Sequence, residues 1–140
     1  MSDIIVTESL KTALWQAAKA AQVQAYAPYS RFLVGAAVLD EHGRIHAGCN
    51  VENAAYPQGT CAEAGALSAM ILAGGRRAKA VMVLGNGVGL VTPCGGCRQK
   101  LREFASPDTL IFIASPQEVR SWFTLQQLLP ESFGPEHLTT

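Results

Sequence analysis

The residues best equipped for chemistry lie in two short runs, Cys61-Ala62-Glu63 and Pro93-Cys94-Gly95-Gly96-Cys97. Three thiols, two of them in C-x-x-C spacing, can supply three tetrahedral ligands to a zinc ion. A structural zinc site needs a fourth protein ligand. The remaining cysteine, Cys49, stands apart from the others, and no histidine neighbours them in sequence. Three ligands plus an open position is the arrangement that lets a metal activate water, and a carboxylate such as Glu63 beside it could accept and return a proton. Ligand type alone leaves iron open beside zinc. Taken singly, a C-x-x-C could be a redox pair, and a glutamate near a helix start could be a favourable dipole charge.

Placing these side chains together makes demands on the backbone. Residues two apart on a regular helix diverge by about 200°. Cys61 and Glu63 can therefore converge only if Cys61 sits at an irregular helix start. Cys61 and Cys94 both fall at predicted helix N-termini, where free N–H groups and the helix dipole favour thiolates. They also offset part of the cost of placing three thiolates around one dication.

The elements that must do this positioning are readable from pattern. Leu10, Ala13, Leu14, Ala17 and Ala21 fall at helical spacing and predict a first helix over residues 8–25, broken before Pro28. Residues 32–39 and 44–50 read as a hairpin around Asp40-Glu41-His42-Gly43. A second helix starts near residues 60–61 and ends at Gly74-Gly75. A strand follows at 80–84, a third helix at 94–104, strands at 109–114 and 121–124, and a helical turn at 126–129. The order α-β-β-α-β-α-β-β predicts an α/β chain, a three-layer α/β/α sandwich around one mixed five-stranded sheet.

Composition narrows the function classes. The 140 residues suit one domain over 1–140, and 49% hydrophobic residues are enough for a real core. Eleven Lys+Arg balance eleven Asp+Glu, which argues against a dedicated polynucleotide binder. With so few charged residues, some surface is expected to be covered by an oligomer. Residues 1–10 carry Asp3 and Glu8 and no basic region, and no apolar run reaches membrane-spanning length, so a cytoplasmic protein without membrane contact is expected. There thiols stay reduced and available to metal. Cys49 reads as a small packing residue, and His42, His46 and His137 as surface residues.

Together and in this order, C-A-E and P-C-x-x-C form a zinc-deaminase signature, and at these residues the chain resembles the small homotetrameric cytidine deaminases. The resemblance extends through Pro28-Tyr29-Ser30-Arg31-Phe32, Val34-Gly35-Ala36-Ala37, Gly48-Cys49-Asn50-Val51-Glu52-Asn53-Ala54, Thr92-Pro93-Cys94-Gly95-Gly96-Cys97-Arg98-Gln99 and Leu128-Leu129-Pro130-Glu131-Ser132-Phe133-Gly134-Pro135. It implies that Cys61, Cys94 and Cys97 hold one zinc ion per subunit and that Glu63 shuttles protons while water attacks C4 of cytosine. Cytidine and deoxycytidine would then give uridine and deoxyuridine plus ammonia, a step of pyrimidine salvage. It further implies that Asn50 and Glu52 hold a ribose hydroxyl and that Phe32 lies against the base. The Ala62 N–H and the Thr92 carbonyl would serve the pyrimidine. Phe133, in a tail over about residues 130–140, would reach a neighbouring subunit's site within a homotetramer, and Tyr29 would pack at the subunit interface.

Three competing readings stay open at the level of sequence. One is a deaminase of a modified nucleoside such as blasticidin S. Another is a polynucleotide-editing deaminase, disfavoured by the balanced charge. The third is a non-catalytic, zinc-stabilised binding protein. The chain departs from the family in one respect: Ala64 follows Glu63 where many three-cysteine members carry an arginine. Arg98 is the replacement cation the sequence offers. Gly65, costly inside a helix, implies close approach of another backbone.

Overall fold

The computed structural model describes residues 4–138; the outermost residues of the expected 1–140 domain and of its tail lie outside the described residues. Helix α1 (Glu8–Gln22) opens with Thr7 as its N-cap, the hydroxyl accepting from the Leu10 N–H at 3.1 Å. Strands β1 (Val34–Asp40) and β2 (Ile45–Cys49) form the hairpin. Then come α2 (Ala62–Leu72), β3 (Ala78–Gly85), α3 (Gly95–Phe104), β4 (Leu110–Ala114), β5 (Val119–Thr124) and the short α4 (Leu125–Leu128).

The strands form one sheet in the order β2-β1-β3-β4-β5. Only β3 and β4 run parallel; the other neighbours are antiparallel, so the sheet is mixed as expected. Side chains alternate across it. Ala37, Leu39, Ala80, Met82, Leu84, Phe112 and Ala114 pack with Leu14 and Ala18 of α1. Ala36, Val38, Val81, Val83, Ile111 and Ile113 pack on the other face with α2, α3 and α4. The central strands are apolar on both faces, as burial between two helical layers requires.

Glycine sets how closely two helices approach the hairpin. A Cβ on Gly35 would lie 2.0 Å from the Ala18 carbonyl oxygen of α1. A Cβ on Gly48 would lie 2.4 Å from the Ala66 nitrogen of α2. Gly65 faces this contact, since its own Cβ would stand 3.4 Å from the Gly48 Cα. The helix-interior glycine is thus explained by direct contact between α2 and β2, the close backbone approach that its cost implied.

The boundaries differ from the sequence reading for identifiable reasons. Helix α1 stops at Gln22 because the chain must turn to join the hairpin: the Tyr26 N–H donates to the Asn50 carbonyl at 3.0 Å and the Glu52 N–H to the Tyr26 carbonyl at 2.8 Å. Strand β1 starts at Val34 rather than Phe32 because Arg31 adopts φ 59°, a left-handed conformation that breaks the extended run. Phe32 is thereby withheld from the sheet.

Candidate functional site

The two metal-ligand runs are built alike. Cys61 and Cys94 are the N-caps of α2 and α3, each in extended conformation with ψ of 157° and 166°. Neither side chain caps its helix, so both sulfurs are free to point outward while the first-turn N–H groups face them. Extended backbone at Cys61 removes the helical divergence, and Cys61 and Glu63 line one cleft as the sequence demands. Cys97, buried in the first turn of α3, completes the cluster.

The sulfurs of Cys61, Cys94 and Cys97 lie within 4.8 Å of one another, and Cys61 and Cys94 are 3.9 Å apart. A tetrahedral zinc with bonds of about 2.3 Å needs sulfurs roughly 3.8 Å apart, so the three thiols fit that ion. All four cysteines are free thiols, and Cys49, half-buried on β2, is outside the cluster. The Cys97 backbone N–H, close to the Cys94 sulfur, is the largest influence holding that thiol below its ordinary value. Burial pushes the Cys97 thiol far up, reinforced by the charges of Glu63 and Cys61, and burial likewise raises Cys61. A dication among these groups would remove that opposition.

Glu63 is 4% exposed, and burial raises its carboxyl above the usual range. A carboxyl in that state is suited to exchanging a proton rather than to remaining a fixed anion. The cleft it faces measures about 310 Å³, within the span of small-ligand pockets. Phe32, Asn50, Glu52, Cys61, Ala62, Glu63, Thr92 and Cys94 all line it. Eight of the residues singled out from sequence are therefore brought together; Cys97 lies beneath them as part of the sulfur cluster.

Asn50 and Glu52 have structural work here as well. The Asn50 amide donates to the Phe32 carbonyl at 2.8 Å and accepts from the Val34 N–H at 2.9 Å, pinning Phe32 at the cleft. Glu52 accepts from the N–H groups of Tyr29 and Ser30 at 2.9 and 3.1 Å, and from the Ser30 hydroxyl. The Ser30 bonds and the Tyr29 N–H hold its carboxyl below the usual range. Tyr29 is half exposed and tilts against Tyr56, with ring centroids 5.9 Å apart.

Arg98 is placed differently from the sequence expectation. Its guanidinium donates to the carbonyls of Pro93 and Leu128, each at 2.7 Å, and to the Thr92 hydroxyl at 2.9 Å. All three contacts go to neutral oxygens. Arg98 braces the loop that carries Thr92 and Cys94 and leaves no contact with sulfur among those described. Phe133 does not line the cleft of its own chain; it is 56% exposed and stacks on His137 at 5.2 Å between ring centroids. His46 is no simple surface residue: its side chain is 10% exposed and lies 2.7 Å from the buried Asp40 carboxylate.

Ser30, Val34, Val83 and Val91 also line the cleft and were not picked out by sequence reasoning. Ser30 carries a usable signal, since it stands two residues before Phe32 in a run that cannot be helical next to Pro28. The valines carry none, because an apolar residue in a strand or a connecting loop reads the same whether or not a cleft opens beside it.

Comparison with known proteins agrees with this geometry. Residues 8–114 match the family model described as the cytidine and deoxycytidylate deaminase zinc-binding region. A cytidine deaminase of Sporosarcina psychrophila is 41% identical over 121 residues, covering 86% of this chain and 89% of that protein. One from Mycobacterium tuberculosis is 42% identical over 114 residues, covering 81% and 82%. The crystal structure of a Burkholderia pseudomallei cytidine deaminase superposes with a TM-score of 0.82 at 42% identity, covering 87% of this chain and 98% of that one.

Proposed function

The chain belongs to the cytidine and deoxycytidylate deaminase family and deaminates cytidine; we propose that it does so with one zinc ion per subunit and accepts deoxycytidine too. The observation that carries this reading is the convergence of Cys61, Cys94 and the buried Glu63 on one cleft, with Cys97 in the same sulfur cluster. Bound by the three thiolates, zinc would supply the Lewis acidity that makes water nucleophilic near neutral pH. Glu63 takes a proton from the attacking water and passes it to N3 of the cytosine, then takes the remaining proton of the new C4 hydroxyl and passes it to the 4-amino nitrogen, so that the C4–N bond breaks. Uridine and ammonia leave, and the carboxyl returns to its starting state.

The remaining residues bind and orient. An asparagine side chain has two N–H donors and a carboxylate about four acceptor sites. After the bonds to Phe32, Val34, Tyr29 and Ser30, Asn50 retains one N–H and Glu52 roughly one acceptor site. That donor and that acceptor complement a single sugar hydroxyl, which supports the 3′-hydroxyl as their ligand and explains acceptance of both sugars. Phe32 lies against the base, the Ala62 N–H serves O2, and the Thr92 carbonyl serves the amino group.

Phe133 is exposed and does not line its own cleft, which supports a role in a neighbouring subunit's site within a homotetramer, with Tyr29 at the interface. No helix among the described residues is long and apolar enough to cross a membrane. A role in pyrimidine salvage in the cytoplasm, without nucleic-acid or membrane partners, follows from a free nucleoside substrate. The test is metal analysis joined to an ultraviolet assay on purified protein. About one zinc per chain, loss of cytidine absorbance and release of ammonia are expected. A zinc-loaded sample that leaves cytidine and deoxycytidine unchanged overturns the reading.

A further inference from the structure

The segment before β1 is organised around one hydroxyl. Arg31, in its left-handed conformation, turns the chain so that Ser30 and Phe32 both face the cleft. The Ser30 Oγ accepts from the Phe32 N–H at 3.0 Å and donates to Glu52 Oε2. Oε1 of the same carboxylate takes the Tyr29 and Ser30 N–H groups. The two ends of this arrangement differ in what they leave free. Oε1 is filled by two donors, whereas Oε2 carries one and keeps a lone pair free.

A serine hydroxyl can rotate, and its direction is set by what occupies its lone pairs. Here the Phe32 N–H fixes the acceptor side, so the proton is directed to Oε2. That bond prevents the carboxylate from rotating and ties its position to the backbone of Phe32.

We propose that Ser30 is a positioning residue: it aims Glu52 Oε2 at one substrate hydroxyl. The inference rests on the reading of Glu52 as the sugar-binding carboxylate. It acts through Glu52 and requires no contact between Ser30 and the nucleoside. The Ser30 hydroxyl is also the largest influence lowering the Glu52 carboxyl below its ordinary value.

The experiment compares wild type, Ser30→Ala, Ser30→Thr and Glu52→Gln on cytidine and on 3′-deoxycytidine, with zinc content measured for each. For cytidine, Ser30→Ala is expected to raise KM about tenfold with kcat changed less than about threefold, because uniform binding is lost rather than proton transfer. Ser30→Thr, which keeps the hydroxyl, should restore KM to within about twofold of wild type. On 3′-deoxycytidine, which lacks the hydroxyl, Ser30→Ala should match wild type within about twofold. Ser30→Ala behaving as wild type on cytidine, or losing equally on both nucleosides, overturns the proposal while leaving Glu52 as the sugar ligand. Glu52→Gln without a selective loss on cytidine overturns the sugar reading and the proposal together.

Discussion

Two carboxylates at opposite ends of the β1–β2 hairpin, Asp40 and Glu52, are held by dense hydrogen bonding, yet they do different things. Asp40 is fully buried and accepts the N–H groups of His42 and Arg44 on Oδ1, and Arg44 Nε and His46 Nε2 on Oδ2, at 2.7 to 3.0 Å. Those four partners fill about all of its acceptor sites. Glu52 has three donors, is half-buried, and faces a cleft. The Asp40 cluster closes on itself and extends as structure, with neighbouring Glu41 receiving the backbone N–H groups of Arg76 and Arg77. The Glu52 cluster leaves one site over. A polar cluster whose bonding capacity is exhausted rigidifies a turn, and one with capacity left beside a cavity can bind.

The sharpest way to break this contrast is to make the same isosteric change at the two buried carboxylates, Glu63 and Asp40. Glu63→Gln should lower kcat for cytidine by about 10³-fold, within the range that general acid–base groups supply. It should leave zinc content and thermal midpoint unchanged if, as proposed, Glu63 acts on the substrate rather than on the fold. Turnover at wild-type rate would remove Glu63 from the chemistry.

The next largest effect comes from the packing that joins the hairpin to the cleft. Gly48→Ala places a methyl against the Ala66 nitrogen and the Ala62 carbonyl oxygen, both backbone atoms of α2. Backbone cannot yield as a flexible side chain does, so we expect a loss of about 3 kcal/mol in denaturant unfolding. Because the displaced helix starts at Cys61, zinc affinity should fall in the same variant. A chelator competition that finds wild-type affinity would separate the α2–β2 contact from the metal site.

How much of this was legible in the sequence depends on what each feature needs. The clustering of the three cysteines could be read because it is a matter of residue type and spacing, and Cys61 with Glu63 even dictated the extended backbone at the start of α2. The layers followed from the order of helices and strands along the chain. The hidden part is whatever depends on where a side chain's hydrogen bonds end. Nothing in sequence distinguishes His46, tied to a buried carboxylate, from an exposed strand histidine. Arg98 looked like a counter-charge for thiolates because it adjoins Cys97, yet its guanidinium turns to the carbonyls of Pro93 and Leu128. Ser30 was passed over beside Phe32 for the same reason: its role is defined by Glu52, distant in sequence and brought close only by the path of residues 50–52 between Tyr26 and Thr60.

The smallest effect tests the closed cluster through pH. Burial alone would raise the Asp40 carboxyl, but the bonds from His46, Arg44 and His42 outweigh it and hold it at about 2, against an ordinary value of 3.8. A carboxylate depressed in the folded state adds stability that is fully present above its unfolded pKa, and loses it as pH falls from about 4 towards about 2. The difference corresponds to about 2 kcal/mol at neutral pH. Asp40→Asn should therefore lower unfolding stability by about that amount at pH 7, and the gap from wild type should narrow as pH falls from about 4 to about 2. Since the cluster lies at the far end of the hairpin from the cleft, kcat/KM for cytidine should stay within about twofold. A variant that keeps its stability but loses activity would reverse the assignment, making the closed cluster the functional one.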